Sequence, residues 1–303
     1  MTSSSSSSGS HLAQEIATQP GDWERVASRL PDLAHLLPVA GERVAVIGCG
    51  TSLFMARSYA DLRQRAGQGV TDAWPASEHR LGRGYDRVVA ITRSGTTTEV
   101  VQVLRDLHGG RTPVTVVTAA ADTPVVSLAS PVLLPEVDEQ SVVQTRFATS
   151  TLALLRAGLG HDVVALADAA RDVLAADDAD LGPARSAEQI TFVGRGWSVG
   201  IAEEAALKLR ESAQLWTEAY PAMEYRHGPV SISSAGRVVW AFGNVPESLA
   251  DDVRRTGAHF EHADVDPMAD LLRVHRLCVL RAADDGLDPD RPRSLTRSVV
   301  LDP

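Results

Sequence analysis

Two stretches of this chain repeat one plan. "RVAVIGCGTSLFMARSYADLRQR", starting at Arg43, and "ITFVGRGWSVGIAEEAALKLRES", starting at Ile190, each pass from a short apolar run through a glycine turn into a helix-length segment. That alternation is the signature of βαβ units and commits a chain to parallel sheets covered by helices. "YDRVVAITRSGTTTEVVQVLRDL" gives the plan again, and "TPVTVVTA" and "SPVLLPE" read as further strands. The spacing predicts an early helix from Asp22 to Leu37, carrying Trp23, Val26, Leu30, Leu33 and Leu37 and broken or kinked at Pro31. "SVVQTRFATSTLALLRAGL" is expected to be one long helix.

The fold class expected is therefore α/β, with two doubly wound halves, each a parallel sheet flanked by helices. Residues 1–11, rich in serine, read as a disordered tail without the pattern of a signal peptide. The first half is expected over residues 12–165. An Ala/Asp-rich helix and linker containing Gly182-Pro183 would occupy 166–187, and the second half 188–303.

Composition narrows the function. Hydrophobic residues make up 44% of the chain, enough for a real core. A net charge of -10 argues against non-specific nucleic-acid binding, and no apolar run is long enough for a membrane span. Cys49 and Cys278 are the only cysteines, too few for a disulfide framework or a CxxC zinc site, so a cytoplasmic location is expected.

Ligands of doubly wound sheets sit where strand ends turn into helices. Gly48-Cys49-Gly50 begins like a dinucleotide fingerprint, but Leu53 stands where the third glycine belongs, and no P-loop occurs anywhere. A nucleotide cofactor is not expected, nor a metal. "ITRSGTTTEV" (91–100) instead packs five hydroxyls into seven positions: Thr92, Ser94, Thr96, Thr97 and Thr98. One would suffice to cap the following helix. Five favour an anion site at the helix N-terminus, with Ser52 joining from the previous turn. Arg93, inside the turn, has no evident role.

In the second half, "EEAALKLRESAQLWTEAY" spaces Glu204, Lys208, Glu211, Leu215 and Glu218 at steps of four, three, four and three, one face of a helix. Ala202, Ala205, Leu209, Ala213 and Trp216 would form the packed side. By spacing alone the charged face reads as a solvated ion-pair ladder. "EYRHGP" adds His227, fixed on a glycine-proline turn.

Taken together, "QEIATQP", "GCGTS", "ASEHR", "TRSGTTTE", "DEQSVVQTRFATS", "GRGWSVGIAEEAALKLRESAQLWTEAYPAMEYRHGP" and "RPRSLTRSVVLD" resemble the SIS (sugar isomerase) family over nearly the whole chain after the serine tail. The chain is similar to the isomerase part of glucosamine-6-phosphate synthase, to amino-sugar-phosphate deaminase/isomerases and to fructosamine-6-phosphate deglycases. The resemblance implies that Thr51, Ser52, Thr92, Ser94 and Thr97 hold a sugar phosphate and that Val142 and Gln144 contact the sugar. It implies that Glu211 moves a proton between C1 and C2 with Lys208 beside it. His227 would open the sugar ring, reaching in from a neighbouring protomer, so a homodimer with composite sites is implied.

Those roles suit the residue types. One carboxylate can remove a proton next to a carbonyl and return it one carbon away, a contribution of about 10²–10⁴-fold. Lys208 should keep Glu211 ionised or stabilise an enediol oxygen, and an imidazole can shuttle the ring-opening proton near neutral pH.

Two features depart from the synthase pattern. Only about 40 residues precede the first repeat, with no N-terminal cysteine nucleophile, so the chain is not expected to release ammonia from glutamine by itself. Where the synthase carries an imine-forming lysine near the C-terminus, this chain has Arg297, which can grip phosphate or a sugar oxygen but not form a Schiff base. "YRHGP" is closer to the deaminase and deglycase relatives. The expectation is a stand-alone isomerase or isomerising deaminase of a hexose or amino-hexose 6-phosphate. Deglycation of a fructosamine 6-phosphate is an alternative. A non-catalytic sensor is another, although no helix-turn-helix segment accompanies the domain and Glu211 and His227 are retained.

Overall fold

The computed structural model describes residues 9–301. Residues 1–8, most of the expected tail, lie outside the described residues, and His11, its last residue, already opens the first helix. In chain order the first half contains α1 (His11–Ser28), α2 (Leu30–Leu33), β1 (Val44–Gly48), α3 (Thr51–Arg65), β2 (Thr71–Pro75) and β3 (Arg87–Ile91). α4 (Thr98–Leu107), β4 (Val114–Thr118), α5 (Pro124–Leu128), β5 (Ser130–Leu133) and α6 (Arg146–Gly158) complete it. α7 (Val163–Ala175) and α8 (Gly182–Arg185) lead to the second half. There follow β6 (Gln189–Gly194), α9 (Ser198–Ala213), β7 (Thr217–Pro221), β8 (Arg237–Phe242), α10 (Glu247–Arg255), β9 (His259–His262) and α11 (Pro267–Asp284).

Both sheets are parallel throughout. The first has order β2-β1-β3-β4-β5 and the second β7-β6-β8-β9. The α/β class with two doubly wound halves is thus as expected. In the first sheet the strand order reverses between β1 and β3, which pair with Val46 opposite Val89. The crevice beyond their carboxyl ends is where such sheets bind ligands.

The central strands β1 and β6 are buried along their whole length; β1 is apolar throughout, and the two polar side chains of β6, Gln189 and Thr191, bond each other at 2.8 Å. One core continues between the halves: Met55 and Tyr59 of α3 share it with Ala202, Ala205 and Leu209 of α9. The two helices cross so closely that a Cβ on Gly200 would collide with the Ser58 side chain and the Phe54 carbonyl. That crossing brings the end of the first sheet against the charged face of α9.

Three helix boundaries differ from expectation. The early helix starts at His11 rather than Asp22 and carries Pro20 in its interior. Ser10 Oγ caps it by accepting from the Ala13 N–H at 3.1 Å. Asp22, read as a start, accepts instead from Thr18 Oγ1 (2.6 Å) and Arg25 (2.6 Å) within the helix. Pro31 does interrupt it, entering the first turn of α2.

The helix expected from Ser141 begins at Arg146. The Glu139 carboxylate accepts from the Thr145 and Arg146 N–H groups at 2.5 and 2.7 Å, capping the helix from six residues upstream.

The helix expected to reach Glu218 stops at Ala213. Gln214 turns left-handed (φ 52°), and Thr217–Pro221 becomes a strand beside β6. Helical spacing continued through these residues, but sheet pairing overrode it. Trp216, placed on the packed stripe, is consequently 72% exposed. The edge strands β2, β7 and β9 are only partly buried and carry Asp72, Glu218 and Glu261 among their few residues, so no apolar run announces them.

Candidate active site

A cavity of about 180 Å³ opens at the β1/β3 switch point. Thr51 and Ser52, in the first turn of α3, form one wall, and Thr92, Ser94 and Thr97, from the turn between β3 and α4, form the next. Val142 and Gln144 line a third side, Lys208 and Glu211 of α9 the floor, and Arg297 and Ser298 of the C-terminal segment the roof. Ten of the eleven expected site residues therefore meet in one cavity.

The hydroxyl turn is not simply a helix cap. Thr97 occupies the N-cap position of α4, yet no side chain there accepts from a helix amide. The Ser94 hydroxyl accepts from the Thr96 N–H at 3.3 Å, within the turn itself. Gly95 holds the turn at φ 65°, where any Cβ would strike the Thr123 side chain. Ser298 Oγ, from the C-terminal segment, sits among the hydroxyls of Ser94 (3.1 Å), Thr96 (3.0 Å) and Thr97 (3.3 Å). Gln144 adds a buried Nε2 without a hydrogen-bond partner.

The charged face of α9 is buried, not solvated. Glu204 and Lys208 are 0% and 1% exposed, because α9 lies under the cavity instead of on the surface. Lys208 Nζ lies 2.5 Å from Glu211 and 3.8 Å from Glu204. Burial disfavours the ammonium, but the Glu204 and Glu211 charges more than offset it and hold Lys208 above its ordinary range. Glu204 is the converse case. Neither carboxylate oxygen has a hydrogen bond, and burial pushes its carboxyl up to about 7 despite the lysine. Only Glu211 of the three reaches solvent, with 17% of its side chain exposed. Glu204 stood on the helix face without being assigned to the site; its step of four before Lys208 was the available signal.

His227 is the residue left apart. It follows the turn Glu224–Arg226, is exposed, and does not line the cavity of its own chain. Its loop is anchored immediately before it, by buried Tyr225 and by Arg226 bonded to Asp252 (2.5 Å) and Ser248 (2.8 Å). Gly228 follows at φ 135°. The imidazole is thus presented outward on a fixed loop.

The two arginines of the site are engaged with protein. Arg297 donates to the Glu139 carbonyl and pairs with Asp138. Arg93, unassigned from sequence, is buried against Glu139 at 3.3 Å and donates to backbone carbonyls of Ser141, Val142 and Arg297.

On the far side of Glu211 a wider cleft of about 710 Å³ shares Leu207, Glu211 and Leu295 with the cavity and is bordered by Trp216 and Glu218. Glu211 therefore borders both the smaller cavity and the wider cleft. Among the described residues no group of three or more His, Cys, Asp or Glu side chains is arranged to hold a metal ion.

No protein-family model matches the chain. It is 28% identical to the glutamine–fructose-6-phosphate aminotransferase (isomerizing) of Pyrobaculum aerophilum, over 96% of this chain and 57% of that protein. It is 28% identical to the protein of the same name from Sulfurisphaera tokodaii, over 86% of this chain and 50% of the relative. The chain thus spans about half the length of the curated relatives it matches. Among solved structures, it superposes on a glucosamine-6-phosphate deaminase from Thermotoga maritima with a TM-score of 0.77 and 23% identity, covering 96% of this chain and all of the other. With a tagatose-6-phosphate ketose/aldose isomerase from Escherichia coli the TM-score is 0.81 at 17% identity, each chain fully covered. The resemblance read from the motifs is borne out: the chain is similar to the isomerase part of the aminotransferases and has the two-sheet SIS-type fold.

Proposed function

We propose that the cavity binds a hexose or amino-hexose 6-phosphate and that the protein interconverts aldose and ketose forms, with or without loss of the amino group. The observation that carries this reading is the placement of Glu211. It is the solvent-reaching member of a buried Glu204–Lys208–Glu211 cluster, set opposite a turn of hydroxyls. A phosphate held by Ser52, Ser94 and Thr97 at the N-terminal ends of α3 and α4 would gain hydroxyl and backbone donors together with the favourable ends of two helix dipoles.

With the phosphate anchored there, the sugar extends towards α9. Glu211 then acts as the base that removes the C2 proton of the aldose and returns it to C1. Lys208, held charged between two carboxylates, stabilises the oxyanion that develops as the proton leaves. Val142 and Gln144 position the sugar hydroxyls, the free Nε2 of Gln144 supplying one donor. The relatives named as aminotransferases, deaminases and ketose/aldose isomerases support this class of chemistry.

Ring opening is assigned to His227 of a second copy of the chain. Its exposure outside its own cavity, on an anchored loop flanked by exposed Met223 and Ile232, supports a homodimer with composite sites. The decisive experiment is proton exchange. Fructose 6-phosphate, glucose 6-phosphate and glucosamine 6-phosphate are incubated in deuterium oxide with wild type and with Glu211→Gln. Deuterium entering C1 or C2 with wild type alone supports the reading. Binding of these sugars without exchange in wild type would favour a sensor, and undiminished exchange in Glu211→Gln would remove that residue as the base.

A further inference from the structure

The residues after α11 form no regular secondary structure from Arg291 to Leu301, yet they run across the mouth of the cavity as a strap. Apolar burial does not explain why the strap stays there: Leu295, Val299, Val300 and Leu301 are all exposed. It is held by polar contacts. Thr98 N–H donates to the Val299 carbonyl at 3.1 Å, and Leu301 N–H donates to Thr98 Oγ1 at 2.9 Å. Ser298 bonds the turn hydroxyls, and Val142 N–H donates to the Asp290 carbonyl at 3.2 Å, where the strap begins.

We propose that Arg93 is a positioning residue that latches this strap over the cavity, and is not a ligand for the anion. Its guanidinium is 4% exposed and both terminal nitrogens are committed. Nη1 donates to the Glu139 carboxylate (3.3 Å) and the Ser141 carbonyl (3.2 Å); Nη2 donates to the carbonyls of Val142 (3.1 Å) and Arg297 (3.2 Å). Arg93 borders the cavity, but only its Nε–H, buried without a partner, is left uncommitted. One side chain thereby joins three segments far apart in sequence: the hydroxyl turn, the 139–142 wall and the strap.

A planar fork with several fixed donors suits this task, and a point-charge ammonium does not. Arg297 completes the lock in the opposite sense, reaching from the strap to Glu139 and Asp138. Glu139 is held independently by the Thr145 and Arg146 amides, so removal of Arg93 leaves that carboxylate with partners.

Amide hydrogen exchange on the ligand-free full chain tests the latch without reference to any substrate. In Arg93→Gln, exchange across 291–301 and at Thr98 should accelerate about tenfold or more, since hydrogen bonds to a charged group are lost. The Thr145 and Arg146 amides should keep their protection. Arg93→Lys, which preserves charge without the fork, should fall between the two and serves alone if the glutamine variant does not fold. Unchanged strap exchange in these variants would overturn the proposal. So would loss of protection at Thr145 and Arg146 together with the strap, which would make Arg93 a general structural residue. A loss of inorganic phosphate binding with the strap still protected would make Arg93 an anion ligand and equally overturn it. A second readout rests on the proposed function: in the exchange assay Arg93→Gln should raise KM more than it lowers kcat.

Discussion

Glu204 and Lys208 stand one helical turn apart on α9, their charged groups separated by 3.8 Å, and both are sealed from solvent. Lys208 leans instead towards Glu211 at 2.5 Å, so the buried Glu204 carboxylate has a nearby cation but no hydrogen bond. A carboxylate so placed costs stability when ionised, and two carboxylates competing for one ammonium keep that ammonium charged.

Stability should therefore depend on Glu204 in a defined pH window. Its carboxyl ionises near its ordinary value of 4.5 in the unfolded chain and at about 7 in the folded one. The neutral acid is thus favoured by folding below pH 4.5, and that advantage is lost as pH rises through about 7. Glu204→Gln should match wild type at pH 4.5 and exceed it at pH 8, by an amount on the order of 2 kcal/mol. Urea denaturation at both values checks this; a variant less stable at pH 8 than wild type would contradict it.

Loss of the Glu211 carboxylate should remove chemistry and spare binding. Glu211→Gln is expected to slow solvent deuterium exchange by about 10²–10⁴-fold, while sugar-phosphate affinity changes by less than about threefold. Titration calorimetry beside the exchange assay separates the two, and a large affinity loss would recast Glu211 as a binding residue.

The hydroxyl turn should contribute affinity in small steps. Ser94→Ala and Thr97→Val should each weaken inorganic phosphate or hexose phosphate binding by roughly 2- to 10-fold, as expected for single neutral hydrogen bonds. Thr97→Val should leave α4 intact, because Thr97 makes no capping bond. If phosphate affinity survives both substitutions, the anion lies elsewhere.

Composite sites make a prediction that no single variant can mimic. If His227 serves the neighbouring protomer, Glu211→Gln and His227→Asn proteins should each be nearly inactive alone, and a mixture allowed to exchange subunits should recover up to about a quarter of wild-type activity. The recovered fraction follows from random pairing, in which half the dimers are mixed and each carries one intact site. Failure to recover activity after exchange is shown by mass spectrometry would place His227 in its own chain's chemistry or outside it.

The hydroxyl and glycine motifs that line the cavity were legible because they lie at strand-to-helix turns, where the chain has few reasons to spend such residues other than geometry or ligands. Thr51, Ser52, Thr92, Ser94, Thr97, Lys208 and Glu211 could be named from local pattern and resemblance together. Periodicity misled where the tertiary partner decided the outcome. Residues through Glu218 continue a helical spacing, yet β6 needed an edge partner and took Thr217–Pro221. Arg93 could not be read at all, because its acceptors lie near positions 140 and 297.

What the sequence determined by itself was the repeated strand–turn–helix plan, since local apolar runs and glycine turns act over a few residues. It also placed the hydroxyls at a strand end and set Glu204, Lys208 and Glu211 on one helix face. The tertiary structure decided which way that face points. The same ladder would be a solvated ornament on an outer helix. The Gly200 crossing and the Met55–Leu209 core press α9 under the cavity, and there desolvation turns three ordinary side chains into a strongly coupled charge cluster.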